Sequence, residues 1–508
     1  MIKKTMTKKV TLSAIFCLAA AALVACGSDE PNTPGGNTPS TPSTPSTPEQ
    51  PETTADVRVL TTSATRSYDL HEGTAAFSTS DNMSPSTIRI NAGERYQEID
   101  GFGAAITGST AFNLLKMNQA DRTAFLKKTF SPTEGYGMSY VRVPIGCSDF
   151  SLKEYTLCDR QGIENFGLTT EETAYIIPVL KEILAINPQV KILSSPWTAP
   201  KWMKVNNLTD LKPYDSWTGG HLNPKYYDDY ATYFVKFIQA MKQNGIDIYA
   251  ITMQNEPLNA GNSASMLMYW DEQRDFVKVL GPKMKDAGLS TKIYAFDHNY
   301  NYDDIADQKS YPVKIYNDAE AAQWLAGAAY HNYGGNVSEL TSIHNARPDK
   351  ELVFTESTAG DWNDGANLQY RLLDDMNQIC LETVGRWAKG SIIWNLMLDA
   401  NRGPNRPGGC TNGFGAVDIA NDFKTIRKNS FYYIMAHMAR AAKPGAVRIG
   451  TSGYSKGGLM YLAFQNPDNS YGLVLSNSNS EAVNFTVDDG THHFSTSVPA
   501  KSIVTLSW

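Results

Sequence analysis

Between residues 99 and 396, short β-branched or aromatic runs alternate eight times with longer segments of helical period. Few architectures accept that pattern, because neighbouring parallel strands need long crossovers, and crossovers of this length are helices packed on the faces of the sheet. The runs are Ile99 to Thr107, Ser139 to Gly146, Lys191 to Trp197, Tyr249 to Pro257, Lys292 to His298, Gly327 to Tyr333, Glu351 to Ser357 and Ser391 to Leu396. Start and stop signals mark the helices between them. Thr169-Thr170-Glu171-Glu172 reads as a capping box ahead of Ile176, Leu180, Ile183 and Leu184 on one face. Asn223-Pro224 opens another helix with the stripe Tyr226, Tyr230, Tyr233, Phe234, Phe237 and Met241, and Gly245 sits where it must stop. The roughly 300-residue extent, with no Gly-rich phosphate turn after the first run, favours a closed ring over a doubly wound sheet. The expected class is α/β, a (β/α)8 TIM barrel spanning residues 99–437.

The flanks differ in kind. Leu459 to Phe464, Tyr471 to Leu475, Ala482 to Val487 and Ser502 to Trp508 are short alternating runs separated by turn residues. Asp56 to Ile90 has the same texture, so residues 56–98 and 438–508 are expected to meet in a β-sandwich beside the barrel.

Ahead of these, Lys3, Lys4, Lys8 and Lys9 precede an apolar run from Val10 to Ala25 that closes in Leu23-Val24-Ala25-Cys26. This reads as a lipoprotein signal peptide over residues 1–25, with lipid attached to the Cys26 sulfur. Residues 26–55 hold that Cys and then Thr-Pro-Ser repeats too poor in apolar side chains to pack, a tether. The expected location is an outer-membrane or cell-surface lipoprotein, with a periplasmic orientation open, and contact with the membrane only through the anchor. The whole chain carries 45 basic and 52 acidic residues. Losing the four leader lysines leaves 41 basic, a net charge of −11 that attracts no nucleic acid. Cys147, Cys158, Cys380 and Cys410 show no CxxC pair, and no metal or other cofactor is expected. A monomer is expected.

Reacting groups in such a barrel sit at the C-terminal ends of the strands. There the second run offers Arg142 and, just beyond, Asp149; the third Trp197; the fourth Asn255 and Glu256; the sixth His331 and Tyr333; the seventh Glu356; the eighth Trp394. Glutamates ending strands four and seven project into one mouth from nearly opposite sides. That placement suits a glycosidase working by double displacement, with Glu256 as acid/base and Glu356 as nucleophile about 5 to 5.5 Å away. The acid/base is expected to have the raised pKa, through the nucleophile's charge and partial burial. Asn255 is placed to donate to the sugar 2-hydroxyl. Trp197, Trp394 and Tyr333 are candidates for the wall against which a sugar stacks. Arg142 and Asp149 would also serve as a buried ion pair, with Asp149 reaching sugar hydroxyls. His331 lacks a second histidine at ligand spacing and is expected to hydrogen-bond near the glutamates.

Gly101-Phe102-Gly103-Ala104-Ala105, Val141-Arg142-Val143-Pro144 through Ser151, Ser195-Pro196-Trp197-Thr198-Ala199-Pro200, Asn255-Glu256-Pro257, Thr355-Glu356-Ser357 and Trp394-Asn395-Leu396 together resemble glycoside hydrolase family 30. The resemblance runs from about residue 57 to the end. It implies a barrel fused to a sandwich built from both chain ends, retaining stereochemistry, and Glu256 and Glu356 at the acid/base and nucleophile positions. It also implies that Arg142, Asp149, Trp197, Asn255, Tyr333 and Trp394 line the glycone site of the glucosylceramidase-like branch. Asn332, where that branch has Trp, and the Asn401 to Gly413 loop depart from it on the leaving-group side. Within the family an endo-β-1,6-glucanase is the leading expectation. A glucosylceramidase-like or exo-β-glucosidase/β-xylosidase activity is the first alternative, and a non-catalytic surface glycan-binding lipoprotein is the second.

Overall fold

The computed structural model describes residues 56–79, 84–300, 305 and 307–508; the leader, Cys26 and the tether to residue 55 lie outside the described residues. Each of the eight runs overlaps a strand: Gly101–Ala104, Tyr140–Pro144, Lys191–Ser195, Ala250–Thr252, Lys292–Asn299, Gly327–His331, Glu351–Glu356 and Ala388–Ile393. They pair in parallel around a single eight-stranded sheet. The first and second strands close the ring through the Ala105–Arg142 bridge, with Ser139 N donating to Phe102 O at 2.9 Å. Closure needs a bare backbone at Gly103, where a Cβ would lie 2.1 Å from the Tyr140 carbonyl oxygen.

The crossover helices form where the sequence signals them. Thr169 Oγ1 accepts from Glu171 N at 3.2 Å while Glu172 Oε2 accepts from Thr169 N at 2.8 Å, a variant of the anticipated box. Asn223 Oδ1 accepts from Lys225 N, the helix runs Tyr227–Gln243, and Gly245 sits at φ +80° beyond its end. Tyr230, Tyr233, Phe234, Phe237 and Met241 of its stripe are fully buried; Tyr226 is half-buried.

Inside the ring, successive inward residues stack in layers, as a two-residue repeat dictates. One apolar layer is Tyr140, Leu193, Ala250, Tyr294, Ala329, Val353 and Ile392, one residue from each of seven strands. Below it, at the N-terminal end, Lys191–Asp100 (2.6 Å), Lys292–Glu351 (2.8 Å) and Lys389–Glu351 (2.9 Å) seal the floor. Two residues further along most strands lie Arg142, Ser195, Thr252, His331, Thr355 and Trp394, almost entirely buried. The site is therefore the next inward layer.

The two chain ends share one sheet. Val57–Ser63 pairs with Ser502–Ser507, and Thr87–Glu98 pairs with Val447–Gly453 and, in parallel, with Val483–Asp488. Val57, Ile88, Leu473, Phe485, Val487 and Leu506 are buried together in its core. Two strands of this sheet are not signalled in the sequence, Val447–Gly453 and His493–Val498, because small and polar residues fill much of them. The helix Ser430–Ala441 spans the 437/438 division drawn from sequence and ties the barrel to this sheet: His437 is 2.9 Å from both Thr62 Oγ1 and Thr505 Oγ1. Among the described residues no helix is long and apolar enough to cross a membrane, and Cys147, Cys158, Cys380 and Cys410 are free thiols.

Candidate active site

Arg142 is the centre from which the polar layer is organised. Its guanidinium is fully buried, and a buried cation is tolerated only when its donors are met. Nη1 donates to Glu356 Oε2 at 2.5 Å, Nη2 to Asn255 Oδ1 and Asp297 Oδ2 at 2.7 Å each, and Nε to Ser195 Oγ at 3.2 Å. The suggested pairing of Arg142 with Asp149 is thereby replaced. Asp149 instead accepts from Trp394 Nε1 at 3.1 Å, and burial, then the charge of Glu356, push its carboxyl up to about 7.

Glu256 ends the fourth strand's turn with φ +47°, a left-handed conformation costing about 1–3 kcal/mol, held by its N–H bond to Asp297 O at 2.9 Å. Its Oε2 accepts from Asn259 and Asn262 at 2.7 and 2.9 Å, while Oε1 faces His331 Nδ1 at 3.4 Å. Glu356 Oε1 accepts from the Tyr333 hydroxyl at 3.0 Å and lies 3.9 Å from the same His331 nitrogen. One ligand-capable atom from each of Glu256, His331 and Glu356 lies within 4.8 Å of the others. That spacing would admit a metal ion, but the Arg142 guanidinium bonded to Glu356 already supplies the positive charge and would repel a second cation.

Behind these groups stands Asp297, fully buried on the fifth strand. It accepts from Arg142, from the Thr252 and Thr355 hydroxyls at 2.6 Å each, from Ser195 Oγ at 3.1 Å, and from His331 Nε2 at 3.0 Å. Five strands thus converge on one carboxylate.

Burial pushes both glutamates up. At Glu256 the bond from His331, the charges of His298 and His331, and the bond from Asn259 overcome it and hold the carboxyl at about 2. At Glu356 burial prevails over His331 and Arg142, with the Glu256 charge adding to the rise. His331 is itself carried up to about 9, against burial, by Glu356, Asp297 and Glu256. This reverses the expected order of the two glutamates. The two shifts have one cause: the Glu256 carboxylate and a protonated His331 stabilise one another, which lowers the first group and raises the second.

These groups open into a cavity of about 450 Å³ that Asp149, Glu256, Tyr333, Glu356 and Trp362 help to line. A model described as the glycosyl hydrolase family 30 TIM-barrel domain matches residues 99–441, and one described as the family's beta sandwich domain matches residues 445–506. The chain belongs to glycosyl hydrolase family 30. It is 33% identical over 446 residues to endo-1,6-beta-D-glucanase neg1 of Aspergillus fumigatus, covering 82% of this chain and 86% of that one. With endo-1,6-beta-D-glucanase BGN16.3 of Trichoderma harzianum it shares 34% identity over 435 residues, covering 80% and 84%. The solved structure of the endo-beta1,6-glucanase BT3312 superposes with a TM-score of 0.87 at 60% identity, covering 90% of this chain and 99% of that one.

This family 30 glycosidase gathers Arg142, Asn255, Glu256, His331, Tyr333 and Glu356 around one centre, with Asp149 on the cavity wall. Trp197 and Trp394 stand differently from their expected role in the wall. They stack on one another at 4.9 Å, 2% and 1% exposed, with the Arg142 guanidinium 5.0 and 5.4 Å from their rings. They are cation–π backing for Arg142. Asp297, Asn259 and Asn262 were missed from sequence. Asp297 was within reach of the strand-end rule, in Phe296-Asp297-His298-Asn299; the two asparagines sit in a loop with no such signal.

Proposed function

We propose that this chain is an exported, lipid-anchored, retaining endo-β-1,6-glucanase. The separation of the two carboxylates carries the chemistry: oxygens within 4.8 Å of one another suit direct attack, whereas an inverting pair stands roughly 6.5–9.5 Å apart to admit a water. In the first step Glu356 attacks the anomeric carbon while Glu256 protonates the departing O6 of the next glucosyl unit. In the second, Glu256 takes a proton from water, which attacks the same carbon and releases Glu356. Arg142, whose guanidinium keeps its charge at any working pH, favours the ionised form of Glu356 against the burial that raises it. Glu256 becomes the acid when the proton on His331 returns to it across 3.4 Å. With Asn255 Oδ1 held by Arg142, its amide NH₂ is the donor left for the sugar 2-hydroxyl.

His331→Gln tests the shared proton. In the wild type the imidazole keeps that proton as pH rises to about 9. Without the imidazole only Glu256 holds it, so the basic limb of kcat/KM is expected to move to lower pH. An unmoved limb would contradict the sharing.

The substrate assignment is supported by the 60% identity to BT3312 and by the two fungal relatives named for the same activity. Parallel incubation with pustulan, laminarin, xylan and glucosylceramide tests it. Gentiobiose-series oligomers from pustulan are expected first, with activity in the membrane fraction for the wild type and in the soluble fraction for Cys26→Ser. Glucose alone from the outset, or preference for another substrate, would overturn the assignment.

A further inference from the structure

Trp362 leaves 51% of its surface open to solvent, although an indole of that size gains by burial. It is nevertheless held in place. It sits in the turn Asp361–Asn363, six residues beyond Glu356, where Gly360 N donates to Asn363 Oδ1 at 2.9 Å. Asp361 N donates to Asn412 O at 3.0 Å and the Asp361 carboxylate pairs with Arg402, so the turn is clamped to the 401–413 loop at two points. The indole also lies against bare backbone: a Cβ at Gly360 would fall 2.0 Å from Trp362 Cζ3. A braced, exposed aromatic face lining the same cavity as Glu356 and Tyr333 is a surface prepared for a ligand.

We propose that Trp362 is the stacking platform for a second glucosyl unit, the one linked to the sugar that Glu356 attacks. The assignment rests on the β-1,6-glucan reading above and deepens it. A pyranose presents a face of axial C–H bonds that packs on an indole, and its hydroxyls stay at the edge where water or polar side chains reach them. The linkage favours such a platform. A 1,6 bond adds an exocyclic carbon and one more rotatable bond between the rings, so ordering the neighbouring sugar costs more conformational entropy than across a ring-to-ring bond. A broad, flat contact tolerates small rotations of that sugar, which directional hydrogen bonds do not.

The test compares Trp362→Ala and Trp362→Phe with the wild type on two substrates. One is β-glucosyl fluoride, whose leaving group is a single atom and fills no neighbouring position. The other is a series of β-1,6-linked glucose oligomers of two to six units. For Trp362→Ala, kcat/KM on the oligomers is expected to fall roughly 10- to 100-fold more than on the fluoride, with Trp362→Phe recovering part of the difference. A wild type that cleaves the oligomers, with equal losses on both substrates or none on either, overturns the platform alone. A wild type that turns over the fluoride and leaves every oligomer intact overturns the substrate reading and the platform with it.

Discussion

Glu356→Gln is expected to lower kcat by at least about 10⁴-fold on every substrate, whatever its leaving group. The amide cannot form the glycosyl ester. The Arg142 bond to Glu356 Oε2 and the Tyr333 bond to Oε1 show why little else should change. The carboxamide fills the same space, its oxygen still accepts from Arg142, and Asp297 continues to balance the guanidinium. The decisive measurement is single-turnover kinetics together with azide rescue of Glu356→Ala. Azide entering the vacated face should give the α-glycosyl azide from an activated β-glucoside; a β-azide would put the nucleophile elsewhere.

Glu256→Gln should behave differently, and the difference identifies the acid. On pustulan, whose departing alkoxide must be protonated, a loss of about 10²–10⁴-fold is expected; on an activated aryl β-glucoside the glycosylation step should be nearly spared. Deglycosylation also needs Glu256, as base, so the aryl substrate should show a burst followed by slow turnover. Azide should relieve the slow phase and yield β-glycosyl azide. Equal losses on both substrates would remove Glu256 from the acid role.

Most of this architecture was legible because the barrel repeats one local rule eight times. Tyr140, Leu193, Ala329 and Val353 mark the inward face of their strands, and counting two residues on leads to Arg142, Ser195, His331 and Thr355. The rule fails where the backbone is irregular. The fifth strand shifts register between Phe296 and His298, with φ +69° at Phe296 and +73° at Asp297. Regular alternation from Tyr294 would turn Asp297 outward, so its place at a strand end is readable from the sequence and the inward turn of its side chain is not. The eighth strand begins at Ala388, three residues before the expected Ser391, because Gly390 pairs with Gly101 and neither residue carries a β-forming side chain to announce it. Tryptophan position misled in another way: Trp197 and Trp394 do occupy strand ends, but whether a ring faces a sugar or its neighbour depends on packing across the barrel.

The kink in the fifth strand has a consequence for anyone rebuilding this enzyme. A designer who straightened it to an ideal strand would still close the ring and bury the apolar layer, and idealised backbones are typically the more heat-resistant ones. It would also swing away the one anion that gathers hydroxyls, guanidinium and imidazole from five neighbours, stranding Arg142 with a buried charge to share between Glu356 and neutral groups. Catalytic competence here is lodged in a departure from regularity, and thermostabilising redesign should leave Phe296 and Asp297 untouched.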